Sequence, residues 1–159
     1  MRPWCGPTRR RRAAEKSRIG AEALGRSRGG LKTKIHALVD ALGNPLRVVL
    51  GPSQQADYRR VADLLPAAKG ADNVLTDKAY DTNAVLTCVV VFGAQVVILS
   101  KKNRLVQRLI DRNLYQNRNK VERFFSRLKP FRRLATLYDK TASSFLGMVH
   151  LVSALLWLR

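Results

Sequence analysis

The sequence predicts one α/β domain with a mixed sheet and flanking helices, and three observations predict it. Short apolar or alternating runs recur at 31–39, 46–50, 73–76 and 95–99, with the length and β-branched content of strands. Longer stretches of helical spacing fill most of the chain after the second run. At 159 residues and 46% hydrophobic content, the chain is long enough to bury one core.

The first two runs, Leu31 to Val39 and Leu46 to Leu50, flank Gly43-Asn44-Pro45 and predict a hairpin. Asp40 is read as a turn residue, and Gly51-Pro52 marks the next turn. Helices are expected near Asp57 to Leu65, Thr82 to Phe92, Leu105 to Lys129 (broken somewhere within) and Ser143 to Leu158. Strands near Asn73 to Thr76 and Gln95 to Leu99 alternate with them. A hairpin followed by alternating helices and strands is an α/β order.

Charge is partitioned along the chain. The net +19 divides into +9 for residues 1–34 (11 basic, 2 acidic), −1 for 35–100 (5 basic, 6 acidic) and +11 for 101–159 (14 basic, 3 acidic). A neutral middle carrying the core runs is flanked by cations, which suits phosphate contacts at the ends. A merely solvated surface mixes signs more evenly. Arg26 and Arg28, Lys101, Lys102 and Arg104 (with Arg108), and Arg132 and Arg133 are placed on the side that would face nucleic acid.

Tyr115, Arg118, Glu122 and Lys129 follow the spacing Tyr-x2-Arg-x3-Glu-x6-Lys. At about 100° per residue the four fall within roughly 60° of one another on a continuous helix. Leu114, Val121, Phe125 and Leu128 lie beside that line, and Asn119, Lys120, Arg123 and Arg127 lie opposite. Taken alone, Arg118 and Glu122 are an i,i+4 surface pair. Upstream, Asn73-Val-Leu-Thr-Asp77 is a short apolar run ending on a carboxylate. Acidic residues at the C-terminal ends of strands in α/β sheets are where ligands and metals bind.

With Gly25-Arg26-Ser27-Arg28-Gly29-Gly30-Leu31, Lys34-Ile35-His36, Asp77-Lys78-Ala79-Tyr80-Asp81 and the Tyr-Arg-Glu-Lys stripe running on to Phe131-Arg132-Arg133-Leu134, the chain resembles the DDE transposases of bacterial insertion sequences, the insertion sequence 5 group. The resemblance covers about Gly25 to Arg159, and no single motif decides it. It implies an RNase H-like sheet, with Asp77 as the second catalytic aspartate and Glu122 as the catalytic glutamate. Tyr115, Arg118 and Lys129 are implied as supporting residues. The implied cofactor is Mg2+ or Mn2+ in a two-metal arrangement, acting on DNA at the element ends and at the target. Hard divalent ions take carboxylate ligands, and two ions about 3.5–4 Å apart serve an in-line phosphodiester displacement.

The resemblance also implies a first aspartate on the opening strand, and the sequence departs from it there. The counterpart is Cys5-Gly6-Pro7-Thr8 before Arg9-Arg10-Arg11-Arg12. Gly6 has no ligand atom, and Pro7 suits a central strand poorly. Glu15 and Glu22 lie in a polar basic stretch without strand character. The expected division is therefore a basic, poorly matching segment 1–24 and a partial catalytic domain 25–159, with the first strand missing or degenerate. Two accounts are open: a downstream product of a split gene, or a degenerate copy. Arg9 to Arg12 is a phosphate-binding arm, a tail or out-of-frame sequence. Transposase identity and the ability to cut DNA are separate claims.

Three readings of function remain: a DDE transposase catalytic domain; a catalytically dead remnant that still binds DNA or associates with full-length enzyme; and a small basic nucleic-acid binder, which the ordered signature disfavours. The expected partners, besides DNA, are a second copy of the chain or an upstream-frame product. Phe145 to Leu158 falls about one turn short of a membrane span and is expected to be a core helix. Cys5 and Cys88 lack metal spacing and fit free thiols in a reducing compartment. His36 is read as packed or hydrogen-bonding, and Trp4 and Trp157 identify no site. No secretory signal pattern follows the basic N-terminus, and the expected location is the bacterial cytoplasm, with the nucleoid.

Overall fold

The computed structural model describes residues 25–27, 30–135 and 141–158. Its strands are β1 (Gly25–Ser27), β2 (Gly30–Val39), β3 (Pro45–Pro52), β4 (Asn73–Thr76) and β5 (Gln95–Ile98). Its α-helices are α1 (Val61–Leu64), α2 (Asn83–Val91), α3 (Arg112–Gln116), α4 (Asn119–Leu128), α5 (Arg132–Ala135) and α6 (Ala142–Trp157). The fold is α/β, as expected. The described strands form two sheets: antiparallel β1-β2-β3 and parallel β4-β5.

The β2–β3 hairpin turns where the sequence places it. Asp40 Oδ1 accepts from Leu42 N and Asn44 N, each at 2.8 Å, and these bonds hold its carboxyl below the ordinary carboxylate range against the cost of desolvation. Gly43 takes φ +92°, a conformation side chains rarely adopt. Alternation along β2 then divides its side chains between two neighbours. Ile35, Ala37 and Val39 face a core with Val48, Leu50, Phe124, Leu128, Phe145, Val149 and Val152. Lys34 and His36 point the other way. Lys34 Nζ bonds Asp57 Oδ1 at 2.8 Å and Gln55 O at 3.1 Å, and His36 Nδ1 lies 3.4 Å from the Tyr80 hydroxyl. His36 is thus buried and hydrogen-bonding, as the sequence suggested.

A second core lies under β4 and β5. Val61, Leu65, Val74, Val85, Val89, Ala94 and Ile98 build it. β4, α2 and β5 form a crossover between parallel strands, with Thr82 capping α2 by accepting from Val85 N at 3.3 Å. The helix expected near Asp57 to Leu65 is instead a 3-10 turn (Asp57–Arg60), the short α1 and a second 3-10 turn (Leu65–Ala68). Pro66, early in that last turn, has no amide to continue an α-helical ladder.

The long helix expected from Leu105 is corrected more substantially. Residues 101–111 are a loop, and helix begins only at Arg112. The physical cause is Asp81, whose fully buried carboxylate accepts from Lys101 N, Arg104 Nε and Arg108 Nη2. Those side chains and that amide cannot also serve a regular helix there. Asp111 then caps α3, accepting from Asn113 N and Leu114 N. A two-residue turn at Asn117 and Arg118 separates α3 from α4, so the polar stripe runs across a break rather than along one helix.

The C-terminal helix forms as expected. Thr141 caps it, accepting from Ser144 N at 3.3 Å, and the Trp157 indole N–H donates to Pro45 O at 2.9 Å. At 16 residues, α6 is shorter than the roughly 20 needed to span a bilayer. Among the described residues no helix is long and apolar enough to cross a membrane.

Candidate active site

Asp77 follows β4 directly. Its backbone is extended, and its Oδ1 accepts from Lys78 N at 2.6 Å, opening the 3-10 turn Lys78–Tyr80. That cap turns the carboxylate outward at the strand end, and 57% of the side chain is exposed. Glu122 sits in the first turn of α4, where the helix dipole favours a negative charge. Phe124 is 1% exposed and stands about 200° round the helix from Glu122. Burying Phe124 and Leu128 against the hairpin therefore faces Glu122 outward. Phe124 lies off the apolar flank of the stripe, so the spacing that marks the stripe does not mark its burial.

Arg118 joins the two acids. Its Nη1 lies 2.9 Å from Glu122 Oε1 and 4.0 Å from Asp77 Oδ2. The guanidinium also stands over the Tyr115 ring, 5.7 Å from the centroid, within cation–π range. The helix break does not disperse these residues, since Arg118 sits in the turn itself and reaches both helices and the strand end. Burial raises the Tyr115 hydroxyl pKa; Arg118 opposes that shift, and Asp77 and Glu122 add to it. The phenol therefore keeps its proton at neutral pH. Lys129, at the C-terminal cap of α4, is exposed and forms no side-chain hydrogen bond or ion pair with this group.

Two aligned carboxylates on adjacent elements, open to solvent and separated by one guanidinium, are hard oxygen donors that fit a magnesium or manganese ion. Among the described residues no third acidic, histidine or cysteine side chain joins them.

Behind the acids, Tyr80 ties their turn to the hairpin. Its pKa is pushed up to about 12 by burial first and then by Asp57 and Asp77. His36 is held below its ordinary value, mainly by burial, and its Nδ1 shares a hydrogen bond with the Tyr80 hydroxyl. The Lys34-Ile35-His36 and Asp77-to-Asp81 segments are thereby brought together in space.

The transposase DDE domain family matches residues 4–157. The chain belongs to that family. It is also 38% identical over 130 residues, 81% of this chain and all of the relative, to a protein of Brucella ovis named "Putative transposase for insertion sequence element IS6501". No solved structure matches. Family and relative agree with the resemblance drawn from the motifs, and the family match takes in most of segment 1–24.

The basic residues placed on the DNA side fall in different settings. Lys102 and Arg132 are exposed and Lys101 is half-buried. Arg104 bonds Asp81 and, through Nη2, Asn83 Oδ1 at 2.9 Å, so its first task in this fold is to hold a loop. Arg28, the side chains of Arg26 and Arg133, and Gly6 lie outside the described residues. Asp81 and Tyr80 were legible only as motif letters. Their chemistry depends on partners twenty or more positions away.

Proposed function

We propose that this chain is the catalytic part of an insertion-sequence transposase, with Asp77 and Glu122 as ligands for divalent metal and DNA as substrate. The observation that carries the reading is Arg118, whose single guanidinium nitrogen spans both acids. Two exposed carboxylates brought this close repel each other, and the guanidinium that bridges them marks where positive charge belongs. When bound, divalent ions there supply activation of the attacking oxygen and stabilisation of the leaving one. The protein's own groups supply position: β4 and the Lys78 cap fix Asp77, the buried Phe124 face fixes Glu122, and protonated Tyr115 can donate to a phosphate oxygen. Arg118 and Lys129 orient the carboxylates or contact phosphate.

The sheet supports an RNase H-like arrangement. From Thr33 to Val39, β2 pairs with β3 on one edge, and the described residues place no strand on the other. β4 likewise pairs only with β5. The resemblance implies a central strand between these edges, joining the two sheets and carrying the first carboxylate of the family pattern. In this sequence Gly6 stands at that position, so the isolated chain is expected to cut DNA weakly or not at all. The missing ligand comes from an upstream-frame product or has been lost. In the second case the chain is a DNA-binding remnant, a reading favoured by the two-carboxylate cluster.

The test is magnesium- or manganese-dependent cleavage of DNA carrying the element's terminal repeats, with and without an upstream segment supplying Asp-Ser-Thr, compared with Asp77→Ala and Glu122→Gln. Cleavage that survives both substitutions removes these residues from the site. Electron paramagnetic resonance of added Mn2+ tests the ligand pair without turnover: both substitutions must weaken binding.

A further inference from the structure

Ordinary surface loops turn charge outward and apolar groups inward. The loop between β5 and α3 does the reverse. Arg104 and Arg108 point into the body of the protein, where the buried Asp81 carboxylate takes both. Leu105, Val106 and Leu109 point into solvent at 102%, 78% and 103% exposure. The backbone is braced in this shape: Gln107 Nε2 donates to Lys101 O at 3.1 Å and Arg104 O at 3.0 Å, and Arg108 N donates to Ser100 Oγ at 3.0 Å. Holding three large aliphatic side chains in water is unfavourable by their lost burial, so such a tip has an occupant.

The surroundings identify its chemistry. Residues 101–112 hold five basic side chains and one acidic. With Arg104 and Arg108 committed to Asp81, the side chains of Lys101, Lys102 and Arg112 are left without ion pairs among the described residues. A basic rim around an apolar tip repels a second copy of itself and complements a polyanion. The loop is anchored four residues beyond Asp77, leaves the same end of the parallel β4-β5 pair as Asp77, and runs into the helix that carries Tyr115. Leucine and similar aliphatic wedges enter duplexes between base steps, unstacking and kinking them.

We infer that Leu105, Val106 and Leu109 form a wedge that inserts into duplex DNA at flexible pyrimidine–purine steps beside the Asp77–Glu122 site, with Asp81 as the residue that locks the wedge outward. The inference rests on the proposed reading that the substrate is DNA. Insertion opens the stack next to the phosphate to be attacked, and a rigid tip makes that opening a property of the bound state.

The experiment uses the full chain and a mixed-sequence duplex with 2-aminopurine at a TA step, beside a control duplex with it inside a stiff A-tract. Binding is expected to raise the fluorescence several-fold at the TA step and little in the A-tract. The triple variant Leu105→Ser, Val106→Ser, Leu109→Ser, whose sites are exposed and so do not threaten folding, is expected to bind with the same salt dependence and to lose the rise. Asp81→Asn is expected to reduce it. A rise retained by the triple variant, or a wild-type chain that binds without any rise, overturns the wedge and leaves DNA as substrate. A wild-type chain that does not bind duplex DNA overturns the reading beneath it. Sedimentation velocity identifies the rival occupant: a wild-type dimer converted to monomer by the triple variant, with unstacking unchanged, assigns the tip to a second copy of the chain and overturns the wedge.

Discussion

Arg118 Nη1 lies 2.9 Å from Glu122 Oε1, a pair one helical turn apart that is also the bridge to Asp77. Solvent screens it, since 59% of the Glu122 side chain and 28% of that of Arg118 are exposed. Exposed i,i+4 pairs contribute about 0.3–0.5 kcal/mol, so the conspicuous ion pair holds little of the fold together. Its value lies in position.

Glu122→Gln is therefore expected to leave the thermal unfolding midpoint within about 2 °C of wild type while abolishing Mn2+ binding at the site. Circular dichroism melting and Mn2+ titration, run on the same preparation, separate the two effects. A large drop in midpoint would make Glu122 a structural residue instead.

Phe124→Ala should do the opposite. The ring is 1% exposed in the core between hairpin and helices, and emptying such a site costs about 3–5 kcal/mol. Urea denaturation is expected to show a large drop in midpoint, with the outward setting of Glu122 lost as α4 loosens.

Asp81 gives an acid dependence whose sign is fixed by its partners. Desolvation pushes its pKa up, but Arg108, the Lys101 amide and Arg104 outweigh it and bring the carboxyl from 3.8 to about 2. A depressed folded pKa means stability fully present above the unfolded value and lost as pH falls through the folded one. The contribution is thus complete above about pH 4 and disappears towards pH 2. Asp81→Asn is expected to lower stability at pH 7 and to flatten this acid limb, as read from urea midpoints across the range.

His36 sets a second dependence nearer neutrality. Its pKa lies below 6.5, with burial as the first cause. The unfolded chain therefore takes up a proton before the folded one, and stability is full above pH 6.5 and declines as pH falls below it. His36→Gln is expected to remove this slope between pH 7.5 and 5.5. Gly51→Ala provides a steric control: its Cβ would stand 3.0 Å from His36 Nε2, so displacing the imidazole should loosen its contact with the Tyr80 hydroxyl and lower the urea midpoint.

The hairpin edge of β2 and the outer edge of β4 carry a prediction for the purified chain. Strand edges that lack a neighbour among the described residues and a divided core favour aggregation, and the isolated chain is expected to aggregate as it unfolds, so that its transition is irreversible. A sharp, reversible calorimetric transition with matching enthalpies would contradict this.

Local chemistry made much of the fold readable. Asp40, Gly43 and Pro45 signalled a hairpin because a tight turn needs a side-chain acceptor and a positive φ, and both are properties of single residues. Thr82 and Thr141 cap helices within three positions of themselves. The loop at 101–111 was unreadable for the complementary reason: its apolar spacing resembles a helix, and only a carboxylate twenty or more residues earlier in the chain draws Arg104 and Arg108 away from one. Phe124 was hidden likewise, since which face of an amphipathic helix is buried depends on what packs against it.

By itself, the sequence determined the ordered set of motifs, the partition of charge and the two acids, because residue identity and spacing carry those directly. The tertiary structure alone decided that Arg118 stands between Asp77 and Glu122 across a helix break, and that buried Asp81 turns a basic loop inside out. Both depend on groups distant in the chain being brought within hydrogen-bonding distance, and burial and electrostatic strength exist only once the chain has folded around them.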